Sequence, residues 1–266
     1  MTGEHLSHVP ETMDAMGREP EMHTALRELL RPYGDDHNAL ARTLLDEAKR
    51  NPDALDLLVD LLPVLNELNS ETAKGLIHAG KGEDARRSIT SFTELNDEVA
   101  GELLDKNLFF RMSQDGLFSF AHLSQRTAER LKESYAFALP IYAKVFEDQD
   151  ALAQMLMNSP EDFKALRLYL KEFASLNRET RDLFVEMGQG IHVIENPDVF
   201  DPPDKSLAEG LLSNHQEEDL ATFLGRFSEL DETIFERLRA WAKGQDKTAK
   251  SLLEFRIKKY TEAPDA

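Results

Sequence analysis

The stretch LNSETAKGL, Leu68 to Leu76, returns in altered form as LNRETRDLF, Leu176 to Phe184. The echo belongs to a wider pattern. With Leu68 as an anchor, apolar residues stand six and three places before it (Leu62, Leu65), Asn69 follows it directly, and Leu76 comes eight places later. The same offsets hold around Leu95 (Ile89, Phe92, Asn96, Leu103), Leu123 (Leu117, Phe120, Ser124, Leu131) and Leu176 (Leu170, Phe173, Asn177, Phe184). They hold again around Leu230 (Leu224, Phe227, Asp231, Leu238). The anchors lie 27, 28, 53 and 54 residues apart, one or two steps of a single length. Self-similarity at a fixed period is the mark of a repeat architecture.

Each position has a physical reading. Apolar residues at the sixth-before, third-before and anchor sites form one stripe, predicted to lie on a helix that ends near the anchor. Asn, Ser or Asp directly afterwards is a preferred N-cap, whose side-chain oxygen accepts from backbone N–H groups left without partners at a helix start. Glu71, Glu98 and Glu179 then fall in the first turn, where the helix dipole favours negative charge. The cassette thus predicts a sharp corner between two short helices, with Phe92, Phe120, Phe173 and Phe227 in the core. Asn51–Gly82 aligns without a gap on Ser159–Gly190 with nine identities, among them both closing glycines, Gly80/Gly188 and Gly82/Gly190. Upstream, DDHNALAR echoes EDQDALAQ, Glu147 to Gln154. Pro63 and Pro140 are expected to kink or divide helices.

The predicted fold is all-α: tandem helix-pair repeats, α-solenoid-like or a right-angle helical array, with ten to twelve helices in a single domain over residues 23–262. DKTAKSLLEFRIKKY, from Asp246, lacks the motif and reads as a C-terminal capping helix. Residues 1–22 read as a mobile polar tail, without the basic and apolar regions of a secretory signal peptide. IHVIENPDVF, Ile191 to Phe200, has some β character, limited by Pro197 to a loop or edge segment. The spacing departs from the tetratricopeptide, ankyrin, HEAT and leucine-rich patterns.

The chain has no cysteine, which removes disulfides, thiolate metal sites and thiol chemistry. Its formal net charge of −19 disfavours nucleic acid and anionic lipid as partners. No apolar run approaches the length of a membrane span. Eleven acidic against two basic residues fall between Val193 and Thr233, and eight basic against three acidic between Ile234 and Tyr260.

Candidate chemistry is sparse. GLIHAGKG, Gly75 to Gly82, nearly spells a phosphate-binding loop, but it ends in Gly82 rather than a hydroxyl residue and follows a helical pattern. His5 and His8 have a metal-compatible spacing without further ligands nearby, and DQD, Asp148 to Asp150, lacks the Gly and late Glu of a calcium loop. Trp241, the sole tryptophan, occupies the place of Ala79 and Met187 and reads as packing under the cap or as a binding hot spot. No catalytic, cofactor-binding or metal-binding residues are expected. The expected function is a non-enzymatic protein–protein interaction module, an adaptor, scaffold or regulator that binds a basic segment of a partner. Its candidate contacts are Asp35, Asp36, Glu147, Asp148, Glu217, Glu218, Asp219 and Trp241. The alternative is a helical bundle enclosing an apolar cavity for a lipid or small hydrophobe, lined by YAFALPIY, Tyr135 to Tyr142. A secreted bacterial effector with cryptic activity is a third reading. The expected location is cytoplasmic, or secreted without a cleavable signal peptide.

Overall fold

The computed structural model describes residues 29–109 and 114–262. The whole of the expected tail, residues 1–22 with His5 and His8, lies outside them. Fourteen α-helical segments and several 3-10 turns make up the described chain, with no strand among the described residues. By internal contacts it divides into two compact units, Met1–Thr127 and Ala128–Ala266.

Unit 1 contains α1 (His37–Ala48), α2 (Asp53–Leu61), α3 (Ser70–His78), α4 (Gly82–Arg87) and α5 (Asp97–Asp105). The boundary falls within α6 (Gln125–Tyr135). Unit 2 continues with α7 (Gln149–Met157), α8 (Pro160–Leu168), α9 (Arg178–Glu186), α10 (Gly190–Glu195), α11 (Lys205–Ser213), α12 (Glu217–Thr222), α13 (Glu232–Ala242) and α14 (Lys247–Glu262). In each unit the N-capped helices stack as one row: α1, α3 and α5 in unit 1, and α7, α9, α11 and α13 in unit 2. Each of α1, α3, α7, α9 and α11 packs against the short helix that follows it.

The corners form as the cassette predicts. Asn69, Asn96, Asn177 and Asp231 are N-caps in extended conformation, and each side chain accepts from the backbone N–H three residues on. Phe92, Phe120, Phe173 and Phe227 are all buried, as are the residues eight after each anchor. The stripe before the anchor differs from expectation. Its first part is a 3-10 turn, Ile89–Ser91, Leu170–Glu172 or Leu224–Arg226, and the Phe after it is extended. In four copies the residue before the anchor is then left-handed: Glu67, Glu94, His122 and Glu229. A three-residue turn brings the sixth-before and third-before side chains to one side, so the spacing survives although no α-helix runs through it.

Burial of an extended corner leaves main-chain groups to satisfy, and the neighbouring repeat supplies the partners. Leu68 N–H donates to the Ser91 carbonyl (2.9 Å), and Thr93 N–H donates back to the Leu68 carbonyl (2.9 Å). Leu95 repeats this with Ser119 (2.8 Å) and Ala121 (3.0 Å), and Leu176 donates to Val199 (2.8 Å). The first two corners are thereby single parallel bridges, Leu68 to Phe92 and Leu95 to Phe120. Side chains complete the seam. Ser91 and Ser119 hydroxyls donate to the carbonyls of Leu62 and Ile89, and the N–H of a cap residue donates to a first-turn side chain of the preceding repeat. The latter pairs are Asn69 to Asn38, Asn96 to Ser70, Ser124 to Asp97 and Asn177 to Asp150.

Three corners lack the Leu anchor. Asp36, Asp148 and Asp204 cap α1, α7 and α11, with Asp35, Glu147 and Pro203 where an anchor would stand. The DDHN and EDQD echo is explained by function in the seam: His37 Nδ1 accepts from Asn66 N–H (3.0 Å) and Gln149 Oε1 from Ala174 N–H (2.7 Å). Pro203 has no N–H to give but its carbonyl accepts from Ser228 (3.0 Å). At the Leu230 corner α14 supplies the partner: Leu230 N–H donates to the Tyr260 hydroxyl (2.8 Å).

The two closing glycines play different parts. Gly80 and Gly188 are left-handed, and the next residue donates five back, Lys81 to Leu76 and Gln189 to Phe184, as a helix stop. Gly190 is a close approach: a Cβ there would lie 2.1 Å from Leu211 Cδ2, and its N–H donates to Gln216 Oε1 (2.8 Å). Lys81 pairs with Asp56 (2.8 Å), so GLIHAGKG is a helix stop with a tethered lysine. Ile191–Phe200 is corrected: its first half belongs to helix α10, with Val193 and Ile194 buried, and no edge strand forms. Helix α2 ends at Leu61, ahead of Pro63, and Pro140 opens a 3-10 turn, Leu139–Val145.

Two substitutions test the seam. Ser91→Ala strands the buried Leu62 carbonyl and is expected to cost about 1–3 kcal/mol. Tyr260→Phe keeps the ring beside Phe235 but removes the acceptor of Leu230 N–H, at an expected cost of about 1 kcal/mol. Urea unfolding followed by far-ultraviolet circular dichroism measures both.

Candidate functional site

The carboxylates predicted as partner contacts fall into two kinds. Asp36 and Asp148 are N-caps, accepting from Ala39 N–H (2.9 Å) and Ala151 N–H (2.8 Å), so one oxygen of each is committed to the fold. Asp35 is exposed and left-handed beside Gly34, and Glu147 is exposed. The first pair belongs to unit 1 and the second to unit 2. Trp241 is half-buried near the end of α13. Of the eleven acids between Val193 and Thr233, several are also structural. Asp204 and Asp231 are caps, Lys205 pairs with Asp231, and Arg239 pairs with Glu232. Arg181, almost wholly buried where the copies at Leu68, Leu95 and Leu123 carry Ala73, Ala100 and Ala128, reaches both Asp182 (2.9 Å) and Asp204 (3.4 Å).

What remains is concentrated on the short helices of unit 2. Glu217, Glu218 and Asp219 form the first turn of α12, and Glu195 ends α10. Among the described residues none of these four pairs with a Lys or Arg; Glu217 has only His215, at 4.0 Å. Partial burial pushes the Asp219 carboxyl above its usual range, and the neighbouring charges of Glu218 and Glu195 add to the effect. His192 on α10 responds in the opposite sense. Burial lowers its pKa and Arg167 lowers it further, while Glu195 and Asp219 oppose the shift. His192 thus feels the charges of Arg167, Glu195 and Asp219 together.

The Arg167 side is partly apolar. Arg167, on α8, stacks 5.3 Å above the Phe163 ring and donates to Gln189 Oε1 (2.6 Å). Next to it in sequence, Leu168 is 63% exposed, and Tyr169 meets Phe137, itself 58% exposed, edge-on at 5.9 Å. Leu168 and His192 are absent from the contacts expected from the sequence, and Phe137 figures there only in the Tyr135–Tyr142 lining. The available signal was surplus: ALRLYL, Ala165 to Leu170, holds more apolar residues than one buried stripe uses, and Ala165, Leu166 and Leu170 fill the core. In the segment Tyr135–Tyr142, Leu139, Pro140 and Tyr142 are buried and Phe137 is exposed.

Among the described residues no group of three or more His, Asp and Glu side chains converges as metal ligands would, and no helix is long and apolar enough to cross a membrane. No protein-family model matches the chain, and no curated protein matches it either.

The two shifted groups give a pH test. A histidine whose folded pKa is depressed contributes stability above its unfolded value, near 6.5, that is lost as pH falls through the folded value. Asp219→Asn removes an anion that favours charged His192, so it is expected to steepen this acid loss while raising stability at pH 7, where ionised Asp219 is disfavoured. Thermal melts of wild type and variant between pH 4.5 and 8 measure it.

Proposed function

We propose that unit 2 is a protein-docking module whose short-helix side holds a partner segment combining basic residues with an apolar side chain. The observation that carries this reading is the crowding of Glu195, Glu218 and Asp219 without a Lys or Arg counterion. The Asp219 carboxyl is pushed upward, whereas the Lys-paired carboxyls of Glu98 and Asp231 shift down. Like charges held together on a folded surface are relieved by a cationic ligand, which gains Coulomb energy without an equal loss elsewhere.

The exposed Phe137 and Leu168 supply what charge alone does not. Surface ion pairs contribute only about 0–1 kcal/mol each, so a specific contact needs an apolar anchor as well, and aromatic or large aliphatic side chains are the usual hot spots. Helical repeats suit this use, since each unit buries one face against its neighbours and leaves an extended face free.

The test is fluorescence anisotropy with a labelled peptide that alternates Lys or Arg with Leu, against a control in which Glu replaces the basic residues. Binding by the first peptide alone is expected, with Glu217→Lys/Glu218→Lys weakening it at least about tenfold and Leu168→Ala weakening it less. Near-molar salt, where the screening length is about 3 Å, is expected to remove most of the charge-dependent part. Equal binding of both peptides, or no effect of the charge reversals, contradicts the proposal.

A further inference from the structure

A second feature belongs to unit 1. Helices α1, α2 and α3 enclose a groove of about 790 Å³, within the roughly 300–1,000 Å³ range of small-ligand sites. Its origin is Gly75. At that place, six after the cap, α5 carries Glu102 and α9 carries Leu183, whereas glycine leaves no side chain over α1. Leu45 settles into the space, and a Cβ on Gly75 would lie 2.6 Å from Leu45 Cδ1. Leu45 and Leu55 are only half-buried, and with Ala48 and Ala79 they make a largely apolar lining.

The charged groups around this lining are nearly all engaged. Asp46 pairs with Lys49 (2.8 Å), Glu71 with Lys74 (3.1 Å), and His78 Nε2 lies 2.8 Å from Glu102 Oε1. Arg42 is the exception: among the described residues it makes no ion pair, and it acts on Asp46 only through space. A guanidinium without a partner at the rim of an apolar groove matches one kind of ligand, because its planar donors suit a bidentate anion. The smaller groove between α9 and α11, where Gly210 holds the equivalent place, is lined by Asp182 and Glu186 and has no such cation.

We propose that the groove binds a single-headed anionic amphiphile of medium chain length. Its alkyl body lies along Leu45, Leu55 and Gly75, and its anionic head pairs with Arg42. The head can be a carboxylate or a phosphate monoester, since both offer two oxygens in one plane to the guanidinium.

Isothermal titration of the full chain with decanoate, decyl phosphate, decanol and decylammonium tests this. Saturable one-to-one binding of at least one anionic probe is expected, and the tighter of the two identifies the head. Arg42→Gln is expected to weaken that probe at least about tenfold while leaving decanol binding unchanged. Ala79→Phe, at an exposed position on the groove wall, is expected to weaken every probe, with circular dichroism confirming an intact fold. Absence of saturable binding by both anions, equal binding of decylammonium, or an Arg42→Gln variant with unchanged affinity overturns the proposal.

Discussion

The structure depends on how it solves a main-chain problem. Each repeat turns through a buried corner that is extended, so its N–H and C=O groups cannot be satisfied within a helix. Leaving them unpaired would cost about 1–3 kcal/mol each, comparable in sum to the whole stability of a domain. The solution is to give them to the neighbouring repeat. Leu68 and Leu95 each exchange two backbone hydrogen bonds with the next corner, and Asn38, Ser70, Asp97 and Asp150 receive the N–H of the next cap. Short helices of six to twelve residues, marginal on their own, are stable because the corners between them are fixed.

This arrangement accounts for the sequence pattern. The anchor is apolar because it is buried, and it is followed by Asn, Asp or Ser because that residue must cap a helix while its own N–H faces backward. The 27-residue step is the length needed to leave one corner, run out along a nine-residue helix, return, and arrive beside the last corner. It also explains why the chain needs a closing element: α14 supplies the Tyr260 hydroxyl where a further corner would have supplied a carbonyl. That helix is not wholly polar outside, since Leu252 and Phe255 are 46% and 63% exposed.

The corners were legible in the sequence because each uses chemistry that few residues can supply. Asn69, Asn96 and Asn177 announce caps, and buried Phe at a fixed offset announces the core. The corners at Asp36, Asp148 and Asp204 fall outside the five-copy cassette because Asp35, Glu147 and Pro203 break the apolar anchor while keeping the cap. The 3-10 turns look like α-helix in the sequence because three residues per turn and 3.6 give nearly the same side-chain offset over so short a span. The six-residue helices α10 and α12 carry too few turns to show a period. Of the candidate surface, Glu217, Glu218 and Asp219 were visible as a run of charge, but their separation from capping and ion-paired acids such as Asp36 and Asp231 required coordinates. His192 and Arg167, whose charges act together with Asp219, come from other places in the chain and are brought within reach of one another only by the fold.

Amide hydrogen exchange at the anchors tests the central claim most directly. The N–H groups of Leu68, Leu95 and Leu176 are predicted to be among the slowest to exchange in the chain, opening only with the unfolding of their whole unit, although none lies in the interior of a helix. Fast exchange at these three amides, alongside slow exchange in the helices flanking them, would mean that the corners are not the seam between repeats.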